Sequence, residues 1–403
     1  MGIASSAHPR GRLLLGAGPS NMEERVLRAL TNPVVGNCDP ALLPVMAELQ
    51  RLLRLVMGTR GATFPLAGTG SAAVEAALLN LIEPGDRVAV GVAGFFGERV
   101  REMAALCGAR VVVLPAAWGQ CIEPEQVAAA FRRYPDIRAV AVVQGETSTG
   151  VLQPLSDISQ LVRAHDALLI VDAVSTSGAH PVDMDAHAID VCCAGSQKAL
   201  SAPAGLAPVA CSPRALARMR GRKLPVPSVY FNLQVLADYW GTPDFCHHTP
   251  PVSLYYALRE ALRAAAEEGL PQRFARHRRT HLALVAGLEA MGLTMQVAAP
   301  ADRLWSVNTV RIPEGVDDRK VRHHVLAEFG IEISGGLGEL AGQVWRVGVM
   351  GTNAWLANAL RVLAALEEAL RAQGVRCGSG LAAAQSVFDT EQLVAEGNAL
   401  LTA

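Results

Sequence analysis

Short, uninterrupted apolar segments recur along the first half of the chain and restrict its possible folds more than any other feature. They are rich in valine, isoleucine, leucine and alanine and cover residues 88–92, 111–114, 139–143, 168–171 and 191–194. Such continuous apolar character is typical of strands in a sheet that helices cover on both faces. Segments long enough for helical crossovers separate them; in 71–82, for example, Val74, Leu78 and Leu81 have helical spacing. The alternation predicts an α/β fold with a mainly parallel sheet.

The pattern changes after about residue 250 to that of a smaller α+β unit. Helical patterns cover 254–268, 273–291, 318–329 and 355–372, and extended patterns cover 306–312 and 344–349. A chain of 403 residues is too long for one ordinary core. We therefore predict an N-terminal arm (1–20), a large domain (21–255), a small C-terminal domain (256–375) and a tail (376–403).

The composition excludes several classes of function. Charged residues make up only 18% of the chain and hydrophobic residues 51%, which is typical of an ordered globular protein. The net charge of −1 provides no basic field for nucleic acid or an anionic membrane. The eight cysteines form neither a Cys-x-x-Cys pair nor a Cys/His cluster with metal-site spacing. We therefore expect no metal and a reducing, cytoplasmic location.

Two charged residues follow neighbouring apolar segments. Lys198 comes just after 191–194, where desolvation would lower its pKa and favour Schiff-base chemistry. Asp172 directly follows 168–171, at a strand end of the kind that lines the ligand crevice of open α/β sheets. A carboxylate there can pair with the pyridinium nitrogen of pyridoxal phosphate. The alternatives are a solvated lysine and a strand-end cap, but adjacent strand ends would present both residues to one ligand.

A glycine-rich segment precedes the helical pattern at 72–82. In Gly68-Thr69-Gly70-Ser71 the small residues allow backbone N–H groups to approach a phosphate at the positive end of the helix dipole. The segment is not a nucleotide P-loop, because no Gly-Lys-Ser/Thr follows, and it lacks the full dinucleotide fingerprint. It is consistent with a phosphate site or with an ordinary helix start.

Four motifs occur together in one order along the chain. They are Gly-Glu-Thr-Ser-Thr-Gly at 145–150, Val-Asp-Ala-Val at 171–174, Ser-Gln-Lys at 196–198 and His-His-Thr at 247–249. In combination they resemble the class V, fold-type I aminotransferases, above all the alanine–glyoxylate (serine–pyruvate) and ureidoglycine–glyoxylate enzymes. The resemblance runs from about residue 13 to 372. It implies a seven-stranded-type sheet, pyridoxal phosphate as cofactor and a homodimer with shared active sites.

The resemblance also implies roles for single residues around the cofactor ring. Lys198 would hold the cofactor as a Schiff base and move the substrate proton, and Asp172 would bind the pyridine nitrogen. Phe96 would stack on the ring, where alanine-type enzymes often have tryptophan, and Val174 would pack on the ring from below. Thr147 would lie near the phenolic oxygen.

Further roles concern the phosphate and the substrate carboxylate. The resemblance places Gly70, Ser71 and Gln197 at the phosphate, together with Thr249 from a partner subunit. Arg346 lies within an apolar extended run, where an unpaired arginine is unusual. Its guanidinium can bind a carboxylate in a bidentate way, and the family has its substrate-binding arginine here. The alternative for Arg346 is an internal salt bridge.

Substrate-facing positions divide between the two branches of the family. The ureidoglycine branch usually has Gly-Gln-Phe-Asp-Pro near the N-terminus, and this chain has Gly36-Asn37-Cys38-Asp39-Pro40. At the position before His-His-Thr, that branch usually has asparagine and the alanine branch tyrosine, whereas this chain has Cys246. A thiol is a poor substitute for an amide. We therefore expect transfer from alanine or serine to glyoxylate or pyruvate with ping-pong kinetics, and (S)-ureidoglycine is the alternative donor.

Two other classes of function remain open. Related class V proteins include sulfur-removing lyases, which need a reactive cysteine on a mobile loop, and Cys377 lies in a glycine-containing stretch. A non-enzymatic binding protein on the same scaffold is the other alternative. It would not require Lys198, Asp172 and Arg346 together. The pair His247–His248 is interpreted as structural or interfacial rather than metal-binding.

Overall fold

The computed structural model describes residues 11–241 and 247–401. Its strands are β1 (Leu13–Leu14), β2 (Ala62–Ala67), β3 (Arg87–Val92), β4 (Arg110–Pro115), β5 (Ile137–Val143), β6 (Gly145–Glu146), β7 (Val151–Leu152), β8 (Leu168–Asp172), β9 (Val191–Cys193), β10 (Leu206–Cys211), β11 (Val307–Arg311), β12 (Ile331–Glu332), β13 (Ser334–Gly335) and β14 (Val344–Gly348). Its helices are α1 (Glu24–Ala29), α2 (Leu42–Met57), α3 (Gly70–Leu81), α4 (Phe95–Leu106), α5 (Pro124–Arg133), α6 (Ser156–Ala164), α7 (Pro213–Arg220), α8 (Leu233–Gly241), α9 (Val252–Glu268), α10 (Leu270–Ala290), α11 (Asp318–Phe329), α12 (Leu356–Ala372) and α13 (Leu381–Leu401).

Seven of the described strands form one large sheet in the order β2-β10-β9-β8-β5-β3-β4. β3, β4, β5, β8 and β9 pair in parallel, and β10 is antiparallel to both of its neighbours. The predicted α/β fold with a mainly parallel, seven-stranded sheet is therefore confirmed. Each of the five apolar segments predicted as strands in the first half of the chain is a strand of this sheet. The predicted and observed bounds differ by at most two residues.

The sequence pattern did not identify β2 and β10, because each contains a proline. Pro65 and Pro208 lie directly opposite each other in the β2–β10 pair. Proline cannot donate to a strand ladder and normally argues against an interior strand. Burial of β10 along its whole length outweighs this local preference.

Both faces of the large sheet carry apolar cores, which explains the uninterrupted apolar character of its strands. Within β3, Val88 and Val90 pack into the core formed with α2, α3 and α9, whereas Ala89 packs into the core formed with α5 and α6. Successive side chains of a strand point to opposite faces. A strand with helices on both faces therefore has no solvent-facing positions to fill with polar residues.

The second half of the chain forms a separate antiparallel sheet in the order β11-β14-β13. Its core contains Trp345 and apolar residues of α10, α11 and α12. The start of the described chain belongs to this unit, since Leu13 pairs in parallel with Ile331. The buried face of α9 joins the core of the large sheet, and that of α10 joins the second core. The domain division drawn from the sequence stays a prediction.

Local structure brings several element ends to one edge of the large sheet. β5, β8 and β9 end at Val143, Asp172 and Cys193. Val143 pairs with Asp172, and Asp172 pairs with Cys193, so the three strands end side by side. The helices α3 and α4 begin shortly after β2 and β3 end, so their N-termini lie at the same edge. This edge is where open α/β sheets bind ligands. No helix in the described ranges is long and apolar enough to cross a membrane.

Candidate active site

Lys198 lies in the turn that follows β9 and is partly buried. Burial and the positive charge of Arg346 together lower its pKa to about 8, against the opposing effect of the negative charge of Asp172. Its Nζ donates a hydrogen bond to the carbonyl oxygen of Ala17. The turn is held by the hydroxyl of Ser20, which donates to the carbonyl oxygen of Lys198 at 2.7 Å. A lysine with a lowered pKa is more often neutral and thus a better nucleophile and base.

Asp172 is the last residue of β8 and pairs with Cys193 of β9, so the two strands present Asp172 and Lys198 at the same edge. Its Oδ1 accepts a hydrogen bond from the backbone N–H of Val174 at 2.9 Å. Burial, helped by the negative charge of Glu146, raises the pKa of Asp172 to about 6. The hydrogen bond from Val174 and the charge of Lys198 oppose it. Asp172 is therefore still mainly a carboxylate at neutral pH.

A cavity of about 50 Å³ lies between Asp172 and Lys198, which both line it. Its lining consists of Ser71, Phe96, Val143, Gly145, Thr147, Asp172, Val174, Ser175 and Lys198. Six of these lining residues had been predicted as site residues from the sequence. Phe96 is the aromatic side chain of this lining and Val174 is one of its two valines, and both are suited to contact a planar ring.

The N-terminus of α3 lies beside this cavity, and Ser71 in its first turn is part of the lining. A Cβ on Gly70 would lie 2.4 Å from Cγ2 of Val174, so only glycine allows the helix to approach so closely. The helix begins here, and its free N–H groups and dipole favour an anion. Beside it, Oε1 of Gln197 is buried and has no hydrogen-bond partner among the described residues. A buried amide without a partner is costly, and a phosphate would provide one, so these residues fit the phosphate of pyridoxal phosphate.

Arg346 lies in the middle of β14 and is only 7% exposed. Its Nε donates to the carbonyl oxygen of Gly335 at 2.7 Å, and its Nη1 donates to the carbonyl oxygen of Thr147 at 3.3 Å. Among the described residues, no carboxylate forms an ion pair with it, so the alternative of an internal salt bridge is not found there. Burial lowers the pKa of Arg346 to about 10, although Glu146 opposes the shift. A buried guanidinium of this kind favours binding of a carboxylate ligand.

Seven of the predicted site residues are not among the described residues of this lining: Gly70, Gln197 and Arg346, whose positions are given above, and Thr249, Gly36, Asn37 and Cys246. Thr249 is exposed, and Gly36 and Asn37 are exposed in the connection between α1 and α2. Cys246 lies outside the described residues. Exposed positions of this kind are consistent with contacts to a second subunit, which is how the family resemblance assigned Thr249.

The structure adds Ser175 and Glu146, which the sequence analysis did not single out, and it shows how closely Gly18, part of a segment that resembles a family loop near the substrate, approaches Lys198. Ser175 lines the cavity, and Glu146 is a buried carboxylate whose charge acts on both Asp172 and Arg346. Gly18 has a φ of +103°, and a Cβ there would lie 2.5 Å from Nζ of Lys198. A charged residue between small residues just after the apolar segment 139–143 was the available signal for Glu146. Nothing in the sequence shows that a segment some 180 residues upstream covers the lysine.

Cys377 is partly buried against the core of the second sheet and is not among the residues that line the cavity. Burial raises the pKa of its thiol, so the reactive thiolate is disfavoured. Within the described ranges, no group of three or more His, Cys, Asp or Glu residues could hold a metal ion. His247 and His248 contact each other through their Nδ1 atoms at 2.9 Å.

Comparison with known proteins agrees with this geometry. The family model for class V aminotransferases matches residues 59–348. The (S)-ureidoglycine–glyoxylate transaminase of Bacillus subtilis is 39% identical, with 94% of this chain and 95% of that protein covered. A crystal structure of the B. subtilis ureidoglycine–glyoxylate aminotransferase matches with a TM-score of 0.91 at 40% identity, covering 94% of this chain and 98% of that one.

A crystal structure of an alanine–glyoxylate aminotransferase from Nostoc sp. is also similar. It matches with a TM-score of 0.88 at 43% identity and covers 90% of this chain and 96% of its own. Two enzymes with different amino donors are thus related to this chain to nearly the same degree. The chain belongs to the class V aminotransferases and is a pyridoxal-phosphate-dependent transaminase with the fold of that family.

Proposed function

We propose that the protein transfers the amino group of a small amino acid, alanine or serine, to glyoxylate or pyruvate. The observation that carries this proposal is Arg346, which is buried, has no carboxylate partner in the described ranges and lies close enough to Lys198 to lower its pKa. A guanidinium there would bind the α-carboxylate of a substrate and direct its amino group towards the cavity. Apart from Lys198 and Asp172, the lining consists of apolar or small polar residues, which suits a short substrate side chain.

The residues of the cavity divide into groups with separate tasks. Pyridoxal phosphate, when bound, supplies a carbonyl carbon for the amino group and a ring that takes up an electron pair. We propose Lys198 as the residue that attaches the cofactor and moves the substrate proton, and Asp172 as the partner of the pyridine nitrogen. Phe96 and Val174 would cover the ring, with Thr147 at its phenolic oxygen. The phosphate would be held by Gly70, Ser71, Gln197 and, from a partner subunit, Thr249.

The first test is an absorbance spectrum of the purified protein, to which L-alanine and then glyoxylate are added. The proposal predicts a visible or near-ultraviolet cofactor band that alanine removes and glyoxylate restores. A band that alanine leaves unchanged would exclude alanine as donor, and the same titration would then be run with serine. Parallel lines in a double-reciprocal plot would support the two half-reactions, and intersecting lines would contradict them.

A second candidate donor is (S)-ureidoglycine. Gly36 and the Asp39-Pro40 pair match the usual motif of enzymes with this donor, and the B. subtilis relative is 39% identical. Asn37 carries an amide, although it is one methylene shorter than the usual glutamine. Turnover with ureidoglycine that clearly exceeds turnover with alanine would establish this reading. Equal or faster turnover with alanine would exclude it.

The active sites of two subunits would be shared in a homodimer. Support comes from large apolar side chains that are exposed along α1 and α2: Leu27 (45%), Leu43 (41%) and Leu55 (47%). Val34, in the connection between these helices near Gly36 and Asn37, is 66% exposed. A subunit contact would cover such exposed apolar side chains. The cytoplasmic location remains a prediction from the cysteine pattern.

A further inference from the structure

Glu146 is a buried carboxylate that forms several hydrogen bonds close to the cavity. It lies on β6 and is 1% exposed. Its Oε2 accepts hydrogen bonds from the backbone N–H groups of Phe96 at 3.1 Å and Gly97 at 3.0 Å. Its Oε1 accepts from the backbone N–H of Ser148 at 3.1 Å and from the hydroxyl of Ser148 at 2.6 Å. One side chain therefore connects the start of α4 with the segment that follows β5.

The carboxylate is held in place by packing as well as by hydrogen bonds. A Cβ on Gly94 would lie 2.6 Å from Cγ and 2.7 Å from Cδ of Glu146, so the glycine backbone packs directly on this side chain. No cation among the described residues forms an ion pair with Glu146. The N–H groups and the dipole of α4 are therefore its main compensation for burial.

Both groups that Glu146 connects belong to the cavity. Phe96, whose N–H it accepts, lines the cavity with its ring. Thr147, between Glu146 and Ser148, also lines the cavity, and its carbonyl oxygen accepts the hydrogen bond from Nη1 of Arg346. A shift of Glu146 would therefore displace an aromatic ring on one side and the support of the guanidinium on the other.

We infer that Glu146 is a positioning residue, which sets the ring of Phe96 against the cofactor and the carbonyl oxygen of Thr147 against Arg346. This inference rests on the roles proposed above for Phe96 and Arg346, but not on the identity of the amino donor. Glu146 itself does not line the cavity and acts only through its neighbours. A cap that merely stabilised α4 would leave the geometry of the bound cofactor unchanged, and this difference makes the inference testable.

The test is the variant Glu146→Gln, which keeps the shape of the side chain but removes its charge and one acceptor. Its new amide N–H would face the N–H of Ser148, so the hydrogen bonds cannot all be retained. We expect pyridoxal phosphate to bind about tenfold more weakly, as for loss of a charge-assisted hydrogen bond. At saturating cofactor, the visible circular dichroism of the bound cofactor should also change, because it reports the asymmetric setting of the ring.

Asp190→Asn provides a control away from the cavity. Asp190 is also a buried carboxylate that accepts a backbone N–H (Leu169, 2.9 Å) and a hydroxyl (Ser212, 2.9 Å), and it pairs in addition with Arg214 (2.5 Å). It lies where β9 begins, at the opposite edge of the sheet. This control should lower thermal stability without changing cofactor affinity or the dichroism per bound cofactor. If Glu146→Gln does the same, Glu146 is only a structural cap and the inference is overturned.

A milder variant keeps the test decisive if Glu146→Gln does not fold. Ser148→Ala removes the hydroxyl that donates to Oε1 of Glu146, and should weaken cofactor binding about threefold with a dichroism change in the same direction. An unchanged affinity and spectrum would contradict the inference. Both measurements need only pyridoxal phosphate and no amino donor. If the proposed donor is wrong, the cofactor band of the wild-type protein does not react with it, and that result is separate from the outcome of this test.

Discussion

Lys198 and Asp172 illustrate how one environment prepares two groups for opposite tasks. Burial disfavours the charged form of both, so the pKa of the lysine falls to about 8 and that of the aspartate rises to about 6. Their mutual attraction opposes both shifts. Between these two values, Asp172 is mainly ionised while a growing fraction of Lys198 is neutral. This is the combination that a cofactor-binding carboxylate and a nucleophilic amine require.

The first prediction concerns attachment of pyridoxal phosphate to the cofactor-free protein. Only the neutral amine attacks a carbonyl, so below a pKa of about 8 the rate should rise about tenfold per pH unit and then level off. Stopped-flow absorbance measures it. Arg346→Gln should move the midpoint to higher pH, because removing a nearby positive charge makes protonation of Lys198 easier. A midpoint that stays near 10.5 in the wild-type protein, the ordinary value for lysine, would contradict the prediction.

At the scale of elements, the junction of α9 and α10 supports the turn that carries Lys198. Glu268 at the end of α9 pairs with Arg273 at 2.7 Å and with Arg276 at 2.5 Å, and both arginines are buried. Arg273 also donates to the carbonyl oxygens of Gly178 at 2.9 Å and Ala199 at 2.6 Å. One helix junction therefore connects the loop after β8, the residue next to Lys198 and the second unit of the chain.

The second prediction is that Glu268→Gln lowers the free energy of unfolding by about 3 kcal/mol, because it leaves two buried guanidinium groups without their carboxylate. Denaturant titration measures this change. The adjacent Glu267 is the matched control, since its side chain is 61% exposed and pairs with Arg25 at the surface. Glu267→Gln should cost less than about 1 kcal/mol. Equal effects of the two substitutions would contradict the assigned role of Glu268.

At the scale of the whole molecule, the site residues fall into two groups. One group surrounds the cavity, and the other, which includes Thr249, Gly36 and Asn37, is exposed on the single chain. A dimer in which each chain completes the site of its partner accounts for both groups.

The third prediction tests this sharing by complementation. Thr249→Val removes the hydroxyl proposed to bind the phosphate, and should weaken cofactor binding about fivefold. Co-expression with the Lys198→Ala chain should yield hybrid dimers in which the remaining Lys198 receives an intact Thr249 and regains wild-type affinity. Equilibrium dialysis of the purified hybrid measures the recovery. The double variant Lys198→Ala/Thr249→Val is the control partner, and should give no recovery. Recovery with this control, or none with the single variant, would contradict sharing through Thr249.

The sequence by itself determined the features that depend on residues close together in the chain, such as a strand and the crossover helix that follows it. Short continuous apolar runs rich in β-branched residues are typical of strands covered on both sides, so β3, β4, β5, β8 and β9 could be identified, and with them the ends that carry Asp172 and Lys198. The pair β2–β10 could not, because burial across the sheet outweighs the local preference of Pro65 and Pro208. The family and its cofactor followed from four motifs in one order.

Contacts between residues far apart in the chain were decided only by the tertiary structure. The approach of Gly18 to Lys198, the support of the Lys198 turn by Arg273 and the contact of Arg346 with Thr147 join segments separated by 74 to 199 residues. A periodic pattern in the sequence cannot reveal contacts over such distances, because they depend on how the large-sheet unit packs against the unit of the second sheet. For the same reason, the sequence marked Glu146 only as part of a motif. It accepts hydrogen bonds from the N–H groups of Phe96 and Gly97 because β6 lies against the start of α4.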